Sequence, residues 1–156
     1  MPGTRNATTF AFCLGLLLFA NLFASASEKA VKMKDLPKDV QRTVQEQSKG
    51  ATIRGLSKET ENGKTFYEVE LKVNGHNKDV LMDSTGAVVE IEEEVAIASL
   101  PPAVKAQLEK QAGKGKIGMV ESLTKNGVFV GYEAHLRTGK KRSEIKVGPD
   151  GQLIKD

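Results

Sequence analysis

The stretch Phe66-Tyr67-Glu68-Val69-Glu70-Leu71 decides the fold, because it recurs 65 residues later as Gly131-Tyr132-Glu133-Ala134-His135-Leu136. The pair Leu36-Pro37 recurs in the same way as Leu100-Pro101. This period is longer than that of solenoid repeats, about 20 to 50 residues, and suits a small unit of helix and sheet. We therefore expect an α+β protein of two tandem repeats. Their bounds are residues 36–95 and 100–156, with linkers at 27–35 and 96–99.

Each repeat opens with the pattern of a helix. Pro37 and Pro101 stand where helices begin, and proline fits the first turn because its missing N–H would have no partner there. Apolar residues then follow at helical spacing. They are Val40 and Val44 in the first repeat, and Val104, Leu108 and Ala112 in the second. These narrow stripes predict one helix packed on one face of a three- to four-stranded antiparallel sheet in each repeat.

The strand patterns alternate between apolar and polar residues. Tyr67, Val69, Leu71 and Val73 point one way, and the corresponding residues of the second repeat include Tyr132. Such alternation predicts a sheet that is covered on one side and open on the other. The polar side carries our candidate partner-binding residues, although these side chains could equally serve only to solvate the sheet. They are Glu68, Glu70, Lys72, Glu133, His135 and Arg137.

The turns set the expected strand pairing. Asn62-Gly63 and Asn126-Gly127 are strong hairpin signals. A two-residue turn at Asn74-Gly75 would place Glu70 opposite Asp79, and like charges in that position are unfavourable. We therefore predict a four-residue loop at 74–77. The expected pairs are Leu71 with Val80, Lys72 with Asp79, Leu136 with Ile145, and Arg137 with Glu144.

The first 26 residues have the pattern of a signal peptide. Arg5 precedes an apolar run from Phe10 to Ala20, and Ala24-Ser25-Ala26 fits a cleavage site. Asn21 ends the run before it is long enough to span a bilayer. Cys13, the only cysteine, would be removed with this segment. We expect a periplasmic or secreted protein with no disulfide and no stable membrane span after processing.

Composition and motifs argue against several classes of function. Residues 27–95 hold 11 basic and 14 acidic side chains, whereas residues 96–156 hold 11 and 6. This asymmetry could attract a charged partner or simply reflect two solvated surfaces. No basic stripe is interleaved with aromatic residues, so we expect no nucleic-acid partner. No nucleophile, P-loop or zinc-protease signature is present, so we expect neither an enzyme nor a cofactor.

An acidic strand is the one candidate for metal binding. Glu90, Glu92 and Glu94 alternate onto one face at about 6.5–7 Å, and hard cations prefer carboxylate oxygens. Calcium loops, however, usually converge their ligands around a glycine turn instead of along a straight strand. A charged strand edge that deters aggregation explains the run equally well. We therefore expect no metal site.

The order of elements and their motifs resembles the PepSY domain, in a tandem arrangement grouped with β-lactamase-inhibitor-like proteins. The matching motifs cover almost all of the chain after the signal sequence. In the first repeat they are Leu36-Pro37, Asn62-Gly63, Tyr67-Glu68-Val69, Asp83-Ser84-Thr85-Gly86 and Val88-Val89, and in the second they are Leu100-Pro101, Asn126-Gly127, Tyr132-Glu133-Ala134, Gly148-Pro149-Asp150-Gly151 and Leu153-Ile154. Gly148 departs from the pattern, because the first repeat has Asp83 there.

The resemblance implies a non-catalytic envelope or secreted module that binds or inhibits proteins such as peptidases. We therefore expect an envelope or extracellular protein, for example a peptidase, as the partner of the open sheet face. The alternative is an envelope sensor that binds a small ligand or a divalent cation along Glu90 to Glu94.

Overall fold

A computed structural model describes residues 28–155, and the predicted signal peptide at 1–26 lies outside the described residues. These residues form two α-helices and eight β-strands, with short 3-10 turns at Met33–Asp35 and Ile97–Ser99. In chain order the elements are β1 Lys29–Ala30, α1 Lys38–Gln47, β2 Thr52–Glu61, β3 Lys64–Val73, β4 His76–Asp83, β5 Val88–Glu94, α2 Pro102–Ala112, β6 Lys116–Lys125, β7 Val128–Thr138 and β8 Lys141–Val147.

Both helices begin at the predicted prolines. Pro37 and Pro101 are the N-cap residues, and Pro102 is the first residue of α2. The apolar stripe of α1 is fully buried, because Val40 and Val44 have no exposed surface. The helix α2 stops at Gly113, whose φ of 54° lies in the left-handed region that glycine adopts readily. The sequence pattern therefore predicted the start and the buried face of each helix correctly.

The strands form one antiparallel sheet in sequential order, from β1 to β8. The strands β5 and β6 pair from Glu90 opposite Lys125 to Glu94 opposite Glu121. This pairing continues the sheet across the junction between the two halves of the chain. The α+β class is confirmed, and the architecture is a single eight-stranded antiparallel sheet with two helices.

The predicted register of the β3–β4 hairpin is wrong by two residues. The turn is the two-residue Asn74-Gly75, with Val69 opposite Val80 and Glu70 opposite Asp79. Both turn residues have positive φ, 48° for Asn74 and 92° for Gly75. A two-residue turn of this kind matches the twist of the flanking strands. The preference of Asn74-Gly75 for this turn therefore outweighs the repulsion between the carboxylates of Glu70 and Asp79.

The same correction applies to the β7–β8 hairpin. The predicted pairs Leu136 with Ile145 and Arg137 with Glu144 do not form, because Ala134 lies opposite Ile145 and His135 opposite Glu144. After β8 the chain forms only a single bridge, between Val147 and Leu153. The sheet therefore ends with β8.

Two apolar clusters lie between the sheet and the helices. One joins α1 to β3 and β4, with Val69, Leu71, Val80 and Met82 at its centre. The other joins α2 to β6, β7 and β8. Tyr67 packs against the first cluster and Tyr132 against the second, as their positions in the alternation predicted. Both helices thus cover the same face of the sheet, and the opposite face carries the polar residues.

Candidate functional site: acidic residues on the polar sheet face

The polar sheet face is the side of the sheet opposite α1 and α2. Its residues alternate with the core residues, so that Glu68, Glu70 and Lys72 on β3 follow the prediction. The extent of their exposure to solvent, however, differs from the prediction. Glu68 is 6% exposed and Glu133 on β7 is 1% exposed, although we expected solvated side chains. Within residues 28–155 no helix lies over these carboxylates, so neighbouring side chains of the same face must bury them.

The register brings acidic residues of five strands side by side. Glu70 on β3 lies opposite Asp79 on β4, which in turn lies opposite Glu92 on β5. Beyond the junction, Glu121 on β6 lies opposite Glu133 on β7. Three of these residues form a group whose carboxylate oxygens lie within 4.8 Å of one another. We call Asp79, Glu92 and Glu121 the acidic cluster.

Burial and mutual repulsion hold protons on this face. Desolvation is the largest cause that raises the pKa of Asp79 to about 7, followed by the charges of Glu121 and Glu70. Desolvation likewise raises the pKa of Glu92 to about 9, with further contributions from neighbouring carboxylates, Glu133 first. The pKa of Glu68 rises to about 8 for the same reasons. Each charged group that shifts the pKa of Asp79 or Glu92 is another carboxylate.

Beyond Glu121 the same face contains basic side chains. His135 lies between two carboxylates, with Nε2 3.2 Å from Oε2 of Glu121 and Nδ1 3.3 Å from Oε1 of Glu144. Hydrogen bonds to these two groups raise the pKa of His135 to about 10, so the ring is protonated near neutral pH. Lys146 Nζ lies 3.4 Å from Oε2 of Glu133. This part of the face therefore has its charges compensated by the protein itself.

Both histidines contact carboxylates. His135 is 29% exposed and bridges two of them. His76 opens β4, where its Nε2 lies 2.8 Å from Oε1 of Glu93. Each histidine is thus part of an ion pair when it is protonated.

The three glutamates considered for metal binding do not come together. Glu90 pairs with Lys125, with Oε2 3.2 Å from Nζ. Glu94 accepts a hydrogen bond of 2.9 Å from the backbone N–H of Asn77. Only Glu92 contributes to the acidic cluster, and its neighbours come from other strands. Sequence reasoning missed Asp79 and Glu121, and a correct turn at 74–75 would have indicated the first of them.

The remaining candidates lie around the acidic cluster. Arg137 is exposed near the end of β7, and its Nε donates a hydrogen bond of 3.1 Å to the carbonyl of Gly139. Lys72 is half-buried and donates a hydrogen bond of 3.0 Å to Oδ1 of Asn77. Glu70 is also half-buried, and its carboxylate lies against Gly55, where an added Cβ would approach it to 2.9 Å. The accessible part of the polar sheet face is therefore its periphery.

Solved structures share this fold at low sequence identity. A BLIP-like protein from Bacteroides fragilis is 20% identical with a TM-score of 0.56, over 76% of this chain and 83% of that one. A DUF2874 family protein from Bacteroides uniformis is 18% identical with a TM-score of 0.60, over 76% and 86%. A third, from Bacteroides eggerthii, is described as one of the "putative periplasmic proteins" and is 16% identical with a TM-score of 0.58, over 77% and 86%.

Comparison at the level of families is more specific. No curated protein matches the chain. Within residues 28–155 no helix has the length and apolar character needed to cross a bilayer. One family model matches two overlapping segments, residues 24–90 and 66–155, which together include nearly the whole chain after the predicted signal sequence. The chain therefore belongs to the family described as "Putative beta-lactamase-inhibitor-like, PepSY-like".

Proposed function

We propose that this protein is a non-catalytic binding module of the periplasm or the secreted space. It would engage an envelope or extracellular protein, such as a peptidase, through the polar sheet face and modulate or inhibit that partner. The observation that carries the proposal is the uncovered sheet face, since both helices pack on the other side. The family description, which refers to inhibitor-like proteins, supports the same reading.

The periphery of the face supplies the contacts that we propose. Arg137 and Arg142 lie opposite each other on β7 and β8, and both are exposed. Charged groups at the edge of an interface steer association and set specificity more than affinity. We further propose that residues 36–95 and 100–156 are tandem repeats of one unit, joined through β5 and β6. In that arrangement each repeat contributes one half of the binding face.

The purified protein is first used to capture its partner from envelope extract. Mass spectrometry then identifies the captured partner. The dissociation constant of the purified pair is then measured for the wild-type chain and for Arg137→Glu and Lys72→Glu. Charge reversal on the polar sheet face should weaken binding by about tenfold or more. Glu70 is left unchanged because its carboxylate packs against Gly55.

Arg42→Glu is the matched control, because Arg42 is an exposed residue of α1, with 67% of its side chain accessible. It should leave the dissociation constant unchanged. Equal weakening by the control, or no effect of the two face variants, would remove the polar sheet face from the proposal.

A further inference from the structure

The acidic cluster has the chemistry of a site for a hard cation. Asp79, Glu92 and Glu121 offer only carboxylate oxygens, and these lie within 4.8 Å of one another. Ca²⁺ and Mg²⁺ prefer oxygen ligands, and Ca²⁺ takes about six to eight of them, from carboxylates and water. Asp79 and Glu92 can each bind through one oxygen or two, and Glu121 can add its Oε1, so the cluster can supply up to five oxygens and water the rest. Glu92 is only half-buried, which leaves the site open to the solvent.

An unpartnered oxygen on one member of the cluster provides a second observation. Glu121 is 1% exposed, and its Oε2 is engaged by His135. Its other oxygen, Oε1, is buried and has no hydrogen-bond partner. A buried polar atom without a partner loses the free energy of its hydration, about 1–3 kcal/mol and more when charged. A cation bound to Oε1 would restore that interaction.

A neighbouring set of side chains is a poorer cation site. Glu121, Glu133 and His135 also lie within 4.8 Å of one another. Both ring nitrogens of His135, however, lie within 3.3 Å of carboxylate oxygens, so the ring is a donor there and offers no free lone pair. Lys146 supplies a further positive charge beside Glu133. Toward Asp79 and Glu92, by contrast, the charged groups of residues 28–155 that shift the pKa of these two residues are all carboxylates.

We infer that Asp79, Glu92 and Glu121 bind one hard divalent cation, Ca²⁺ or Mg²⁺, on the polar sheet face. Asp79 and Glu92 belong to β4 and β5, whereas Glu121 belongs to β6. The ion would therefore connect the two halves of the sheet at their junction. A ligand that binds only the folded state stabilises it according to its concentration relative to Kd. Binding at this junction should thus raise the melting temperature of the whole sheet.

The test uses the purified protein, stripped with a chelator and held at pH 7.5. Calcium and magnesium are titrated separately by calorimetry, and melting temperatures are recorded with and without each ion. One ion per chain should bind, and at about 100 times Kd the melting temperature should rise by about 10 °C. If neither ion binds, the inference is overturned, and the three carboxyl groups hold protons instead of a cation.

Variants locate the site. Asp79→Asn and Glu121→Gln should each weaken binding at least tenfold, whereas Glu90→Gln should retain it, because Glu90 lies on the same face but pairs with Lys125. Melting of each variant in chelator checks that it is folded. Asp79→Asn removes a carboxylate whose charged neighbours are other carboxylates, so it tests the site even if Glu121→Gln is destabilised by loss of its ion pair with His135. Equal weakening by Glu90→Gln would indicate a general charge effect and overturn the site. Binding of Zn²⁺ alone, lost in His135→Gln and kept in Asp79→Asn, would move the site to the neighbouring set and also overturn it.

Discussion

His135 and Glu121 form an ion pair that links adjacent strands on the polar sheet face, with Nε2 and Oε2 3.2 Å apart. Glu121 is 1% exposed, whereas the side chain of His135 is 29% exposed. The histidine therefore places a positive charge between a buried carboxylate and Glu144, nearer to the solvent. This arrangement makes His135 the main internal counter-charge of Glu121.

Replacing His135 with glutamine should lower the free energy of unfolding at pH 7. Breaking a buried pair costs about 3–5 kcal/mol, and we expect about 3 kcal/mol because His135 is partly exposed. Urea denaturation in chelator measures the change. His76→Gln is the control, since both members of the His76–Glu93 pair are about one-third exposed and such pairs contribute at most about 1 kcal/mol.

The effect of His135 should depend on pH with a definite sign. Its pKa is raised from 6.5 to about 10 in the folded protein. The stability that it contributes is complete below pH 6.5 and is lost as the pH rises through about 10. The difference between wild type and His135→Gln should therefore shrink between pH 7 and pH 10.5. A difference that stays constant over this range would mean that the ring is not protonated.

The carboxylates of the polar sheet face should make the protein less stable in base when no cation is present. The pKa of Asp79 rises from 3.8 to about 7 on folding, and that of Glu92 from 4.5 to about 9. A raised pKa means that the folded state binds more protons, so stability is complete below pH 4 and falls as the pH rises to 9. Thermal melts in chelator at pH 5, 7 and 9 should show a steadily decreasing melting temperature.

Glu92→Gln should reduce the change of melting temperature with pH, because the glutamine side chain does not titrate. The effect should appear mainly between pH 5 and pH 9, the interval over which the pKa of Glu92 is shifted. Glu46→Gln, at an exposed position of α1, should leave the dependence of melting temperature on pH unchanged. A wild-type melting temperature that rises from pH 5 to pH 9 would contradict the assignment of raised pKa values.

Val80→Asp tests the core beneath the corrected register. Val80 has no exposed surface and lies opposite Val69 in the α1 cluster. An unpaired carboxylate at this position should lower the free energy of unfolding by about 3–5 kcal/mol. Val128→Asp is the control, because Val128 is 64% exposed. Its effect should stay within about 0.5 kcal/mol, and chemical denaturation distinguishes the two.

Gly86→Ala tests the close approach of the β4–β5 turn to α1. Gly86 has a φ of 82°, and an added Cβ would lie 2.7 Å from the backbone of Asp39. Thr43 Oγ1 also donates a 2.7 Å hydrogen bond to the carbonyl of Gly86, which fixes this contact. We expect a loss of more than about 2 kcal/mol, from strain and from displacement of the helix.

Gly63→Ala separates the backbone strain of alanine from the displacement of the helix. Gly63 has a similar φ of 75°, but nothing lies within 4 Å of its added Cβ. Only the backbone strain of alanine in the left-handed region remains there, about 1 kcal/mol. Equal losses for the two variants, measured by urea denaturation, would show that Gly86 is needed for its conformation alone.

The sequence alone determined the elements of this protein and their buried faces. The alternation around Tyr67 and Tyr132 identified the face that packs on the helices, because side chains on a strand point to opposite sides. The Asn-Gly pairs at 62–63 and 126–127 located two hairpins, since asparagine and glycine adopt the positive φ that such turns require. These are local properties, and they persist whatever the rest of the chain does.

Only the tertiary structure decided which acidic residues meet. The pairing of Glu70 with Asp79 is unfavourable for two charged groups in water. Desolvation is the largest cause that raises the pKa of both residues, so each carboxyl group loses its proton less readily here than in water. The meeting of Asp79, Glu92 and Glu121 further requires the pairing of β5 with β6 across the junction. Register and long-range pairing depend on the assembled sheet, and no local pattern in the sequence encodes them.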